Sequence, residues 1–436
     1  MSRKKVLVLG AGLAGLSAAW HLQRKGADCV VFEKEQEVGG LCRSKKVNGF
    51  IFDYDGHLLH FKHSNTFNLI KRLLGNGLAE HRRDAWVYSY GGIIRYPFQA
   101  NLHGLPKSVV HECLSGLIDT YNKSHKSARN YNSFYGWINR TFGKGIARNF
   151  MTPYNTKFWT IHPRRLTCEW LDGFVPVPSL NQMLKGAIDQ SRRQFGYNAR
   201  FWYPRKGGIN NLPLAFASGI RNIYTDCRIS EIDPIKKEVM LASGNKEKFD
   251  LLISTIPLPE LPGLIKNIPP EAARLFKKLK WNSIFNINLG VTGRTPFRGH
   301  WIYFPQKDIH FFRTGFFHNF SSSLAPAGKS SLYAEVAYSK EKPINKKETV
   351  FDVIKDLKKM GILDRKKDIL AQDINDIKYG YPIYDYNYTS AREGILKYLS
   401  QNDIICCGRY GNWRYMSMEC AILDGERAAE RAVNTA

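Results

Sequence analysis

What the sequence lacks narrows it first. Its eight cysteines, at positions 29, 42, 113, 168, 227, 406, 407 and 420, contain no CxxC pair and no regular framework. That argues against a disulfide scaffold and against structural zinc, and predicts reduced thiols in a cytoplasmic compartment. Cys406 and Cys407 read as small buried strand residues. No apolar run beyond the first twenty residues approaches the roughly 20 residues of a membrane span, so no transmembrane segment is expected. Internal repeats and low-complexity tracts are absent. Acidic residues are scarce: 38 Asp and Glu face 64 Lys and Arg, for a formal charge of +26. This surplus favours anionic partners. The basic residues are dispersed and the aromatics fall inside apolar segments, which disfavours nucleic acid, while charge alone does not choose between a phosphorylated substrate and an acidic membrane surface.

At 436 residues the chain exceeds a usual single core, and two or three domains are expected. The start, MSRKKVLVLGAGLAGLSAAW, has the basic lead and apolar run of a signal peptide. Its glycines, however, fall at dinucleotide-loop spacing and no cleavage-like region follows. Lys5 to Leu9 reads as a strand covered on both faces, Leu16 to Lys25 as a helix stopped by Gly26, and Asp28 to Phe32 as a second strand ending at Glu33. Between them stands Gly10-Ala-Gly12-Leu-Ala-Gly15. A GxGxxG motif alone is weak, but strand, glycine turn, helix, strand and acid in this order form a dinucleotide-binding fingerprint. Gly10 permits the tight turn, Gly12 lets backbone approach a pyrophosphate, Gly15 allows close helix packing, and Glu33 is placed to accept from ribose hydroxyls. A second glycine pair, Gly39-Gly40, followed by Leu41 and Ser44, favours FAD over NAD. Gly408-Arg409, after a late strand, is expected to point amides at the flavin end.

Further strands are expected at Asn222 to Ile232, Glu238 to Leu241, Asp250 to Thr255 and Asp403 to Cys407, with a last helix from about Ser417. Pro106 to Ser191 is rich in helix-compatible segments. Ser283 to Val291, His300 to Phe304, Ile309 to Phe316 and Ser331 to Tyr338 are strand-like, and Asn345 to Lys367 is a basic helix with a solvated face. The fold class is therefore α/β: a Rossmann-like FAD-binding domain of the GR2 type with a helical insertion and an antiparallel β-sheet substrate domain. The expected bounds are 1–80, 204–275 and 396–436 for a discontinuous FAD-binding domain. A helical insertion covers 104–196, and 81–103, 197–203 and 276–395 form the sheet domain.

His57, His60 and His63 recur at steps of three, which suggests metal ligands only if they share a helix. Glycine beside His57 and the strand-like Gly49 to Phe52 before it argue for a turn in which the imidazoles diverge, so no metal is expected. Arg313 stands amid aromatics on a strand, where a buried charge needs an anionic partner.

The segments Gly39-Gly-Leu41, Asp53-Tyr-Asp-Gly-His57, Tyr96-Pro-Phe-Gln99, Pro153-Tyr-Asn155 through Trp159, Cys168-Glu-Trp-Leu171, Trp301-Ile-Tyr-Phe-Pro305, Arg313, Gly380-Tyr-Pro382 and Gly408 to Tyr415 occur in one order. Through them the chain resembles the flavin-dependent UDP-galactopyranose mutases, the eukaryotic type above all, within the amine-oxidase-like FAD superfamily. The resemblance implies a reaction in which reduced FAD attacks the anomeric carbon of a nucleotide sugar through its N5 and the sugar recloses with a different ring size, with no net redox change. It implies a cytoplasmic isomerase of polysaccharide biosynthesis, with NAD(P)H as a candidate reductant and the oligomeric state open. It assigns catalysis to His57, Arg313, Tyr381, Arg409 and Tyr415. Diphosphate contact falls to Arg313, Tyr381 and Tyr415, and the flavin-side loop to Gly56 and His57. The nucleotide and sugar pocket falls to Tyr96, Gln99, Tyr154, Asn155, Trp159 and Tyr303.

Three positions depart from that pattern. The mobile-loop arginine falls at Phe174, a tyrosine at Phe320 and an asparagine at Glu419, with Arg164 or Arg165 as candidate substitutes for the first. These departures leave the substrate open and keep an alternative, an FAD-dependent oxidoreductase of the amine-oxidase or desaturase kind. A non-enzymatic, flavin-holding assembly protein is a third reading.

Overall fold

A computed structural model describes residues 4–124, 131–171, 173–190, 195–196, 198–364, 366 and 368–434. The expected segment bounds at residues 1, 191, 197, 367 and 436 lie outside them. Five parallel strands form the first sheet, in the order Ile404–Cys406, Leu251–Ser254, Lys5–Leu9, Asp28–Phe32 and Ile223–Tyr224. Val6, Leu7, Val8 and Leu9 are buried, as a strand covered on both faces requires. The helix Leu13–Arg24 follows directly from Gly12, three residues earlier than expected. Close packing explains the glycine at 15: a Cβ there would stand 1.9 Å from the carbonyl oxygen of Gly10, itself at φ +100°.

The single strand expected over Asn222 to Ile232 is two. Ile223–Tyr224 closes the parallel sheet, and Ile229–Asp233 opens a separate antiparallel sheet with Glu238–Leu241 and Lys246–Lys248. Asp226, at φ +54°, turns the chain between them.

A seven-stranded sheet runs Ile369–Pro382, Trp281–Val291, Ser330–Tyr338, Arg313–Phe316, Trp301–Tyr303, Ala85–Ser89, Gly92–Arg95. It is antiparallel except where Trp301–Tyr303 pairs in parallel with Ala85–Ser89. Alternation along Trp281–Val291 sorts its two faces. Phe285, Ile287 and Leu289 join the core that includes Val353 and Leu357 of the helix Lys346–Lys359. Asn286 and Asn288 point the other way and are fully buried. Asn345 caps that helix through its side chain, accepting from Lys347 and Glu348 N–H groups. The strand expected over Ile309 to Phe316 begins only at Arg313.

The segment between the sheets is helical, comprising Lys107–Ser124, Phe134–Ile146, Thr152–Trp159 and Leu180–Ile188. Ser133 caps the second of these and Ser179 forms a capping box with Gln182 on the last. Their apolar faces, with Phe134, Ile138, Phe142 and Trp159, share one core with one face of the parallel sheet, including Leu7, Leu9, Phe32 and Leu252. Among the described residues no helix is long and apolar enough to cross a membrane.

Candidate functional site

A cavity of about 710 Å³ runs from the end of Lys5–Leu9 to the seven-stranded sheet. Of the residues expected to act, Gly10, Gly12, Glu33, Gly39, Gly40, Leu41, Gly56, His57, Tyr303, Arg313, Tyr381, Gly408, Arg409 and Tyr415 line it. At the dinucleotide end Gly12 bridges to Gly39, and a Cβ on Gly40 would meet the Gly12 backbone at 3.2 Å. Backbone therefore forms this wall, as close approach to a pyrophosphate requires. Glu33 Oε2 accepts from Ala11 N–H at 2.7 Å and Oε1 from Glu35 N–H at 3.0 Å. A carboxylate keeps lone pairs beyond these two, so Glu33 can still accept from a ribose. The glycine cradle, the acid and the adjoining amides fit FAD.

Gly15 and Ser44 lie outside the lining. Gly15 packs on Gly10, and Ser44 Oγ donates to Asp53 Oδ1 at 2.7 Å while accepting from Asn210 N–H. Asp53, fully buried, also receives the Tyr203 hydroxyl and Ile209 N–H, which ties the residue just before the His57 loop to Arg200–Pro204 and the segment after it.

At the far end Arg409 lies over the rings of Tyr381 and Tyr415, at 4.5 and 5.1 Å, and those rings stack 5.5 Å apart. Its guanidinium donates to the carbonyls of Gly380 and Met416, and Nε has no partner. Among the described residues no carboxylate pairs with it. Burial, which opposes the charge, is outweighed by Tyr410, Tyr381 and Tyr415, so Arg409 stays protonated. Burial and the neighbouring Tyr415 push the Tyr381 phenol up, which keeps it a neutral donor.

Arg313 is differently placed. It pairs in cross-strand register with Glu335, which is fully buried, and binds it with two nitrogens, Nη2 at 2.6 Å from Oε1. Asp55, on the loop opposite, hydrogen-bonds to Glu335 as well. Sequence reasoning missed both acids. The available signals were a lone glutamate inside the apolar strand Ser330–Tyr338 and an aspartate two residues from His57.

Tyr96 and Tyr154 lie behind Tyr303, with ring centroids at 4.9 and 5.4 Å, and Trp159 lies behind Tyr381 at 5.9 Å, fully buried. Gln99 donates to Pro176 O and Asn155 to Met151 O, both at 2.7 Å. None of these five lines the cavity.

The three departures have separate structural accounts. Phe174 lines the cavity edge-on to Tyr415 at 4.4 Å. Phe320 packs with Phe201, Tyr203 and His300. Glu419, buried, accepts Lys62 and His63 N–H at 2.8 and 2.9 Å, and so anchors the loop before Ser64–Leu74. Neither candidate substitute reaches the cavity: Arg165 pairs with Glu341, and Arg164 lies over Tyr135. His57, His60 and His63 are on irregular chain, and His57 Nδ1 sits 3.0 Å from Asp55 O.

The family profile described as flavin containing amine oxidoreductase matches residues 13–433. Among solved structures, reduced UDP-galactopyranose mutase aligns with a TM-score of 0.94 at 28% identity, over 99% of this chain and 96% of that one. Wild-type putrescine oxidase bound to putrescine aligns at 0.67 with 15% identity over 99% of each, a likeness of fold. Among curated proteins, 4,4'-diapophytoene desaturase of Staphylococcus aureus (strain COL) is 24% identical over 310 residues, 63% of this chain and 58% of its own length. The match thus spans little more than half the length of that relative. With the glycine cradle, the acid at Glu33 and a profile match over nearly all its length, the chain belongs to the flavin containing amine oxidoreductase family.

Proposed function

We infer that the chain is a flavin-dependent mutase that interconverts the pyranose and furanose forms of a nucleotide-activated sugar. The observation that carries this reading is Arg409, a guanidinium at the cavity wall with a free Nε, no carboxylate partner among the described residues, and two tyrosines under its charge. Such a group calls for an anion, and a diphosphate meets its geometry. The 28% identity with reduced UDP-galactopyranose mutase over 99% of the chain supports the same reading.

Reduced FAD, when bound, supplies the nucleophile. The protein's own residues hold and polarise the ligand. Arg409 takes up charge that develops on the departing diphosphate, and Tyr381 and Tyr415 donate to its oxygens. Arg313 orients from the sheet side. Phe174 and Tyr303 keep that end dry, which strengthens each of these contacts.

The test is to titrate UDP, GDP and dTDP, free and as sugar conjugates, into dithionite-reduced holoprotein while following flavin absorbance and ring size. The expected result is a spectral change with one nucleoside diphosphate and ring interconversion without consumption of reductant. The reading fails if no sugar nucleotide is converted while the oxidised protein turns over an amine, an alcohol or a polyene.

That second outcome describes the alternative, an amine-oxidase-like or desaturase-like oxidoreductase. Two observations favour it: the desaturase relative, and the ion pair that occupies Arg313.

A further inference from the structure

One row of side chains crosses five strands on the face toward the cavity: Asn375, Asn286, Glu335, Arg313 and Tyr303, each in register with the next. Opposed residues share a face at ~4.5–5.5 Å between Cβ atoms, so the row is continuous. Its middle holds a carboxyl group, Glu335, with no exposure at all. The flavin-side loop sets a second carboxyl against it. Gly56 rests on the Tyr333 ring, where a Cβ would stand 2.5 Å from the hydroxyl, and Asp55 is thereby delivered to Glu335. Gly56 N–H donates to Asp55 Oδ1 at 2.7 Å.

Two touching carboxyl groups and one guanidinium leave a net negative charge in a buried place unless the acids share a proton. With one proton between them the cluster is neutral, the arrangement with the smallest desolvation cost. The shifts agree in direction. Burial drives Glu335 well above the ordinary carboxylate range against the pull of Arg313, and Asp55 drives it further. Burial would raise Asp55 too, but the hydrogen bond with Glu335 and the Arg313 charge outweigh it. Among the described residues the other titratable groups facing the pair are His57, Tyr333, Tyr381 and Tyr410. Asp55 lines the cavity and Glu335 does not.

We propose that Asp55 is the proton donor and acceptor of the cavity, and that Glu335 positions it and shares its proton. The proposal rests on the mutase reading. When the sugar ring opens, the bond between the anomeric carbon and the ring oxygen breaks, its electron pair stays on oxygen, the shared proton goes to that oxygen, and the reduced flavin, when bound, would supply the electron pair that the anomeric carbon loses. When a different hydroxyl bonds to the anomeric carbon, its proton returns to the pair, so protons and electrons balance over a turnover. Behind Glu335, Asn286 Nδ2 has no partner, Asn375 donates to Asp373 at 2.9 Å, and Asp373 meets the exposed Lys45 at 3.0 Å. This buried polar row runs from Glu335 through Asn286, Asn375 and Asp373 to the exposed Lys45.

The experiment uses reduced holoenzyme, wild type and Asp55→Asn, read by steady-state kinetics across pH and by infrared spectra in H2O and D2O. A carboxylic acid C=O band sensitive to deuterium is expected in the wild type and lost in the variant. Asp55→Asn should lower kcat by at least ~10²-fold, with KM and flavin content within about threefold, and abolish a pH limb that Glu335→Gln only displaces. An Asp55→Asn enzyme that keeps its flavin and full kcat overturns the step alone. Absence of the band from the wild type overturns the shared proton, and decides the matter even if the variant loses flavin. A wild type that converts no sugar nucleotide overturns the mutase reading and the assigned step together, while the band still reports on the pair.

Discussion

Arg313 and Arg409 are like charges in unlike company. Arg313 is bound to a buried carboxyl group, whereas Arg409 meets carbonyls and tyrosines and, among the described residues, no acid. Removing them should therefore differ in kind. Arg313→Ala is expected to lower turnover by roughly 10²-fold, the scale of losing a donor to developing charge. It should also cost about 3 kcal/mol of stability in chemical denaturation, because the buried pair of Asp55 and Glu335 loses its cation and must take up a second proton to stay neutral. Arg409→Ala leaves no buried acid unpaired. It should spare stability and weaken nucleotide diphosphate binding, measured by flavin-monitored titration. His57→Ala is expected to change the rate at which bound flavin is reduced, followed in a stopped-flow absorbance trace, with flavin content retained.

At the scale of elements, the turn between Lys5–Leu9 and Leu13–Arg24 was legible because its glycines answer to backbone sterics, and these are local. Gly15→Ala would press a Cβ against Gly10 O, so overpacking of about 1–3 kcal/mol and a fall in flavin content after purification are expected. The fourteen-residue strand Ile369–Pro382 was not legible. Along it Asp373 and Asn375 are buried while Ile374 is 41% exposed, so its hydrophobic pattern runs against its burial. Alternation analysis assumes that the buried face is apolar. Here that face carries the polar row leading to Glu335. The short strand Ile223–Tyr224 was merged with its neighbour for a related reason: only Asp226, in a left-handed conformation, breaks the run.

At the scale of the whole molecule, burial of neutral histidines makes stability depend on pH. Burial, with His81 beside it, pushes His300 down to about 3, and its Nδ1 accepts the Asp84 N–H. Burial and Lys62 push His60 down to about 4. A pKa lower in the folded state than the ~6.5 of an unfolded histidine means that only the unfolded chain binds the proton in between. The contribution is complete above pH ~6.5 and is lost as pH falls toward those values, by roughly 2 kcal/mol at pH 5 for His300. Urea midpoints at pH 7 and pH 5 should converge in His300→Asn relative to wild type.

The sequence by itself determined the dinucleotide end, from Gly10 through Glu33 to Gly39-Gly40, since each of those positions is dictated by near neighbours in the chain. Its residues alone singled out Arg313, and the family resemblance added Tyr303, Tyr381, Arg409 and Tyr415, all of which the fold gathers along one cavity. Only the tertiary structure decided the company those residues keep. It placed Tyr96, Tyr154 and Trp159 behind the lining, turned Glu419 to cap Lys62 and His63, and seated Phe174 against Tyr415. It also joined Asp55 to Glu335, 280 residues away along the chain. The physical reason is that a carboxyl group's charge and proton depend on what lies within a few ångströms, and strand register rather than sequence spacing sets that distance.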